Sequence, residues 1–131
     1  MSYWTHVNGI MRFDSDVDRD KEMKKMCRTA DWDSGRTVKK RCNVPMGSEG
    51  SLDVSLVVKK SNIGQSRKYT LSFFGDLRDY PQKKEKDIIK WLTNLIKEHD
   101  LIVRDAVVTV NEVTYRHYVN VGFQKIHEGA R

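Results

Sequence analysis

The segment between residues 81 and 99 constrains the fold most, because it carries the clearest apolar period in the chain. Its apolar residues at helical spacing are Ile88, Leu92, Leu95 and Ile96. Asp79-Tyr80-Pro81 stands just before them, and proline is tolerated in the first turn of a helix. The pattern predicts a helix over Pro81–His99 whose apolar face is buried against another layer.

Two further segments alternate with a period of two, which is typical of half-buried strands. Leu52–Val58 carries apolar residues at every second position, with Asp53, Ser55 and Val57 between them, and Tyr69–Gly75 does so from Tyr69 to Phe73. Ser61–Ser66, which includes Gly64, lies between them and has the composition of a turn. We therefore predict a β-hairpin in the middle of the chain.

The remaining elements follow from weaker patterns of the same kinds. The predicted elements are a strand over Tyr3–Phe13, a helix over Asp16–Ala30, an irregular loop over 31–50, and two strands over Ala106–Val110 and Val113–Phe123 that turn about Asn111-Glu112. Residues 124–131 are predicted to be a frayed tail.

The order β-α-β-β-α-β-β predicts the fold class. Its first six elements have the order of the ferredoxin-like split β-α-β fold. The chain has 131 residues, close to the usual size of one domain. We predict a single α+β domain over residues 1–123, with two helices on one face of a mainly antiparallel sheet.

Cysteine content and hydropathy indicate the compartment. The chain has two cysteines, Cys27 and Cys42, and we interpret them as free thiols in a reducing cytosol. No apolar run approaches the roughly 20 residues of a membrane-spanning helix, and the N-terminus lacks the pattern of a signal peptide. We expect a cytoplasmic protein without a membrane partner.

The net charge of +6 is concentrated in the middle of the chain. Residues 21–68 hold twelve basic and five acidic side chains. A local basic surface attracts phosphates or an acidic protein face, although a merely solvated surface is an equally open interpretation. The candidate partner-binding residues are Arg36, Lys39, Lys40 and Arg41, supported by Lys59, Lys60, Arg67 and Lys68.

Catalytic and metal-binding patterns are weak. Asp14 and the acids after it fail the calcium-loop pattern, because Arg19 and Lys25 stand where glycine and glutamate are required. The cysteines and histidines lack zinc-site spacing, and no nucleophile elbow or nucleotide fingerprint occurs. We expect no metal, no cofactor and no enzymatic activity; a metal-dependent enzyme stays open as a third interpretation.

The predicted element order is shared by RNA-recognition domains, which stack bases on aromatic side chains of the sheet. The strand from Arg67 to Phe74 has the basic start and aromatic content of their motif but lacks its glycine. An alternative function is therefore binding of RNA or another single strand. Its candidate stacking residues are Trp4, His6, Tyr69 and Phe73, and a plain core role for Tyr69 and Phe73 stays open.

Four short motifs carry a resemblance. They are Met1-Ser-Tyr-Trp-Thr-His-Val-Asn-Gly9, Gly47-Ser-Glu-Gly50, Gly75-Asp-Leu-Arg-Asp79 and Lys90-Trp91-Leu92. In combination they resemble a group of small accessory proteins of tailed phages. The resemblance implies a protein made in the cytoplasm of a bacterial host. It also suggests an inhibitor of host defence of the anti-CRISPR kind. The leading prediction is therefore a non-enzymatic protein that binds and inhibits a host protein or ribonucleoprotein, such as a CRISPR nuclease, through its basic loop, and nucleic-acid binding is the alternative. The oligomeric state stays open.

Overall fold

The computed structural model describes residues 4–29, 42–78, 85–112 and 117–122. Within these ranges the elements in chain order are β1 (Trp4–Ser15), α1 (Asp20–Met26), β2 (Met46–Gly47), β3 (Gly50–Ser51), β4 (Asp53–Lys60), β5 (Arg67–Arg78), α2 (Glu85–Glu98), β6 (Ile102–Glu112) and β7 (His117–Gly122). Neither α1 nor α2, the helices of these ranges, is long and apolar enough to cross a membrane.

Five strands form one sheet in the order β4-β5-β1-β6-β7, and all neighbouring strands are antiparallel. β1 is central because it pairs along its length with β5 on one side and β6 on the other. β2 and β3 form a separate two-stranded ribbon. The ribbon is attached to the end of β5, since the Ser48 N–H donates to the Arg78 carbonyl at 3.0 Å. The predicted α+β class and mainly antiparallel sheet are confirmed.

Side-chain alternation gives the sheet two different faces. On one face the large apolar side chains at odd-numbered positions of β1 and β5 are buried, and α2 packs onto them through its apolar stripe. The Trp91 and Phe73 rings are nearly perpendicular, with centroids 5.3 Å apart. On the same face Asp20 of α1 accepts a hydrogen bond from the Tyr69 hydroxyl at 2.7 Å. Both helices therefore lie on this helix-covered face, and the opposite face is here termed the open face.

Helix α1 is shorter than predicted. β1 continues through Ser15, which pairs with Arg67 of β5, so the predicted helix start at Asp16 is wrong. The chain turns where the Asp18 carboxylate accepts a hydrogen bond from the Asp20 N–H at 2.9 Å, and α1 begins at Asp20. The helix ends at Met26, and Ala30 lies outside the described residues.

Other predicted element boundaries also differ from the observed ones. The predicted loop 31–50 contains β2 and the first residue of β3, while residues 30–41 are not described. Asn111 and Glu112 belong to β6, so the predicted turn at these residues is wrong. The predicted tail 124–131 lies outside the described ranges. The ferredoxin-like assignment stays a prediction, because β2, β3 and β7 add to the four strands of that pattern.

Candidate binding face

The open face carries an unusual number of exposed large apolar side chains. Even-numbered residues of β1 and β5 point to it, together with the odd-numbered residues of β4 that pair with them. Its exposed apolar residues are Trp4, Ile10, Val57, Phe74, Ile102 and Val107. In monomeric soluble proteins such residues are scattered, and a group of them on one face indicates an interaction surface.

Three ring side chains follow one another on this face. Trp4 and His6 are two residues apart on β1, which places them about 7 Å apart along the strand. Phe74 pairs with Asn8, the next open-face residue, so it is a diagonal neighbour of His6 at about 7–8 Å. Phe74 is 53% exposed and Trp4 is 36% exposed. These three residues are here termed the ring row.

The middle ring is held in place by an acid. Nδ1 of His6 donates a hydrogen bond to the Asp76 carboxylate, and the two residues are directly paired across β1 and β5. This hydrogen bond uses Nδ1, so Nε2 is the ring nitrogen that takes no part in it. The His6 side chain keeps 41% of its surface exposed, so one side of the imidazole is accessible to a ligand.

Two arginines of this face, Arg12 and Arg104, are already paired with acids. Arg12 donates to Asp105 at 2.6 and 2.9 Å, and Arg104 donates to Asp14 at 2.7 Å. The hydrogen bonds from Arg12 lower the pKa of Asp105 below its ordinary value. Paired charges of this kind fix the surface geometry but attract a further anion weakly.

Two lysines at one end of the face are different. Lys59 of β4 and Lys68 of β5 are directly opposite each other, and neither has an ion-pair partner in the described part of the chain. Like charges opposite each other on neighbouring strands are unfavourable. Both lysines line a concavity of about 480 Å³ on the open face, together with Arg12, Arg104 and one acid, Asp14, so basic side chains outnumber acidic ones in it. This end of the face therefore attracts an anion.

The next cross-strand pair shows the contrast. Lys60 and Arg67 are opposite each other, but Arg67 donates to Asp18 at 2.9 Å and lies 3.5 Å from Asp20. Only 10% of the Arg67 side chain is exposed. Arg67 thus anchors the turn before α1, and little of its side chain is left for the predicted contact with a partner. The predicted residues Arg36, Lys39, Lys40 and Arg41 lie outside the described residues.

Two of the predicted stacking residues are in the core. Tyr69 and Phe73 are each 1% exposed on the helix-covered face, so the prediction that they stack bases is wrong. The Tyr69 ring stacks on Phe13 with centroids 5.4 Å apart. Burial, with a smaller effect of the hydrogen bond to Asp20, raises the pKa of the Tyr69 hydroxyl. Trp4 and His6 do lie on the open face, and Phe74 is the residue that sequence reasoning missed.

A metal site finds no support in the described ranges, where no three His, Cys, Asp or Glu side chains cluster. Burial raises the pKa of the Cys27 thiol to about 11, and Cys42 donates its S–H to the Val44 carbonyl at 3.3 Å. Cys27 is therefore a packed, protonated thiol at neutral pH. Taken together, the geometry is that of a binding surface with rings at one end and lysines at the other.

Known proteins provide no role for this surface, so its function is inferred from its own side chains. No family model, no curated protein and no solved structure matches the chain.

Proposed function

We propose that this protein is a non-enzymatic module that binds single-stranded nucleic acid, in the first instance RNA, on its open face. The observation that carries the proposal is the ring row of Trp4, His6 and Phe74 on two adjacent inner strands. Unpaired bases stack on exposed rings in any sequence, because every base has a π-face. Spacings of about 7–8 Å leave room for one base on each ring.

The charge distribution supports a strand that runs from the rings towards the lysines. Lys68 lies on β5 six residues before Phe74, which corresponds to about 20 Å along the strand. Exposed apolar and small polar side chains, among them Ile10 and Thr70, lie between them on the same face. Lys68 then contacts a backbone phosphate, while the ring row holds the bases.

The finer fold assignment is part of this proposal. We infer a ferredoxin-like split β-α-β core made of β4, β5, β1 and β6 in that spatial order, to which β7 and the β2–β3 ribbon are added. RNA-recognition domains have this element order and bind bases on the uncovered face of their sheet. The position of the ring row on β1 and β5 is consistent with that use.

The proposal is tested by fluorescence anisotropy with labelled, pooled single-stranded RNA at low salt. Loss of one stacking ring costs about 1–3 kcal/mol, so Phe74→Ala is expected to weaken binding by roughly 5- to 150-fold. Val17→Ala removes an exposed apolar side chain outside the open face and serves as control. Absence of binding at low salt, or a Phe74→Ala affinity equal to that of the control, refutes the proposal.

Lys68→Ala tests the electrostatic part separately. Each phosphate neutralised on a single strand contributes about −0.7 to the slope of log K against log salt. Loss of Lys68 is expected to make that slope shallower by about this amount. Lys21→Ala, an exposed lysine of α1 on the other side of the sheet, is expected to leave the slope unchanged.

Inhibition of a host-defence ribonucleoprotein, such as a CRISPR nuclease, is a second candidate function. It is favoured by a concavity of about 320 Å³ at the end of the β4–β5 hairpin, lined by Lys59, Lys60 and Lys68. Three lysines around one hollow suit guide-RNA phosphates or an acidic protein face. The basic residues Arg36, Lys39, Lys40 and Arg41 remain part of this proposal.

A pull-down from the lysate of a defended host tests this second candidate. The wild-type protein is expected to capture a nuclease complex, and the triple change of Lys59, Lys60 and Lys68 to alanine is expected to lose it. Nuclease treatment that releases the complex indicates contact through RNA, while retention indicates a protein face. Inhibition that survives both this triple change and alanine at Arg36, Lys39, Lys40 and Arg41 contradicts the basic-surface mechanism.

A further inference from the structure

Strand β4 is an edge strand with an unpaired side. Its eight residues, Asp53–Lys60, pair with β5 on one side, and no backbone hydrogen bond joins its other side to any described residue. Edge strands of monomeric proteins are usually protected by proline, a bulge, short length or a charge that points inward. β4 contains no proline and no bulge and is eight residues long. Lysines also protect an edge, but the charged residues of β4 are at its two ends, Asp53 at one and Lys59 and Lys60 at the other, so its centre carries no charge.

The helix layer covers β4 incompletely. Its three apolar residues on the helix-covered face, Val54, Leu56 and Val58, are only partly buried. The β5 residues opposite them, by contrast, are at most 1% exposed. On the open face Val57 is 60% exposed. Apolar surface thus flanks the unpaired backbone on both faces, which is what a further strand needs in order to pack.

The sequence of β4 is complementary to itself in one antiparallel register. If Leu56 lies opposite Leu56 of a second copy, Asp53 lies opposite the second copy's Lys59 and Lys59 opposite its Asp53. In the same register Val54 lies opposite Val58, and both point to the helix-covered face. Opposite charges and β-branched pairs at directly opposed positions stabilise antiparallel strands.

Neighbouring registers lack this match. Opposed residues of an antiparallel pair point to the same face of the sheet. The twofold axis must therefore pass between the two copies of one residue of β4, and the neighbouring registers are centred one residue before or after Leu56. A centre at Val57 places Lys60 against Val54, and a centre at Ser55 places Asp53 against Val57. Neither brings an acid against a base.

We propose that two copies of this chain form a symmetric dimer through antiparallel β4–β4 pairing centred on Leu56. The two five-stranded sheets then form one continuous sheet. A twofold axis perpendicular to the sheet keeps both helix layers on one side and both open faces on the other. The pairing of Lys59 with Asp53 of the second copy also offsets its repulsion by Lys68. The proposal is independent of the ligand of the open face.

A charge-swap series tests the register. Sedimentation velocity of the wild-type chain from micromolar to millimolar concentration is expected to show a monomer–dimer equilibrium. Asp53→Lys or Lys59→Asp alone places like charges opposite each other at two symmetric positions, and is expected to weaken dimerisation about tenfold or more. The double change Asp53→Lys with Lys59→Asp restores opposite charges and is expected to recover most of the affinity.

Controls separate dimerisation from folding. Both residues are exposed, so circular dichroism is expected to be unchanged in all variants. Asp16→Lys makes the same charge change at an exposed position outside the sheet and is expected to leave the dimer intact. A wild-type chain that stays monomeric at millimolar concentration overturns the proposal. A dimer that is insensitive to Asp53→Lys, or that the double change does not restore, overturns it as well.

Discussion

Replacing Gly9 by alanine tests how the helix-covered face is packed. Gly9 of β1 is directly opposite Phe73 of β5, and the Phe73 ring lies over the space where a side chain would be. An added Cβ would be 2.6 Å from Cε2 and 3.0 Å from Cε1 of that ring, and closer still to Cζ. The ring cannot move away freely, because it is 1% exposed and packs on Trp91.

The expected cost follows from two opposing effects. Overpacking a filled core costs about 1–3 kcal/mol. Replacing a strand glycine by alanine returns about 0.5–1 kcal/mol, because the unfolded chain loses less entropy on folding. We therefore expect Gly9→Ala to lower the free energy of unfolding by ~1–2 kcal/mol. Urea denaturation followed by circular dichroism measures the change.

A double-mutant cycle with Phe73→Leu identifies the cause. Without the aromatic ring, the alanine methyl group has space, so Gly9→Ala is expected to be neutral or slightly stabilising in that background. The coupling free energy between the two sites is then at least about 1 kcal/mol. A Gly9→Ala protein as stable as the wild type, or additive effects of the two changes, would refute this description of the core.

Three further predictions concern single side chains. Tyr69→Phe removes the hydroxyl that donates to Asp20 and accepts from the Arg19 N–H just before α1. It is expected to lower the free energy of unfolding by about 1–2 kcal/mol in urea, and an unchanged midpoint would contradict it. The pKa of Asp105 is lowered, so the stability contributed by its pairing with Arg12 is complete above the unfolded-chain pKa and is lost as pH falls through the lower folded pKa. A carboxyl titration by NMR is expected to show this low pKa and its return towards the ordinary value in Arg12→Ala, and a pKa unaffected by that change would contradict the pairing. Cys27 is partly buried against the core, and burial raises the pKa of its thiol to about 11. Its labelling by a thiol reagent at pH 7 is therefore expected to be slower in the folded protein than in urea. Equal rates in the two conditions, compared with a Cys27→Ala control, would refute this packing.

The elements with strong periodicity were predictable, while those defined by turns were not. The stripe of α2 and the alternation of β4 and β5 indicate their structure because burial on one face imposes a fixed period. The start of α1 depends instead on the Asp18 hydrogen bond and on the pairing of Ser15 with Arg67. The latter is a contact between distant parts of the chain, which local sequence does not contain.

The open face illustrates the same difference. Phe73 and Phe74 are adjacent, so they point to opposite faces of β5, and the strand sequence alone does not tell which face the helices cover. The alternation of Tyr69, Leu71 and Phe73 with Phe74 out of phase was the available signal for choosing Phe74 as the exposed ring. The His6–Asp76 contact joins residues 70 positions apart and has no signal in the sequence.

Mapping of backbone amide shifts by NMR during titration with single-stranded RNA tests the central claim most directly. The account predicts that shifts move along β1 and β5 around His6 and Phe74, together with the indole resonance of Trp4. Amides of α2 are expected to change little, because that helix lies on the other side of the sheet. Shifts confined to α2, or no shifts in low salt, would contradict binding on the open face.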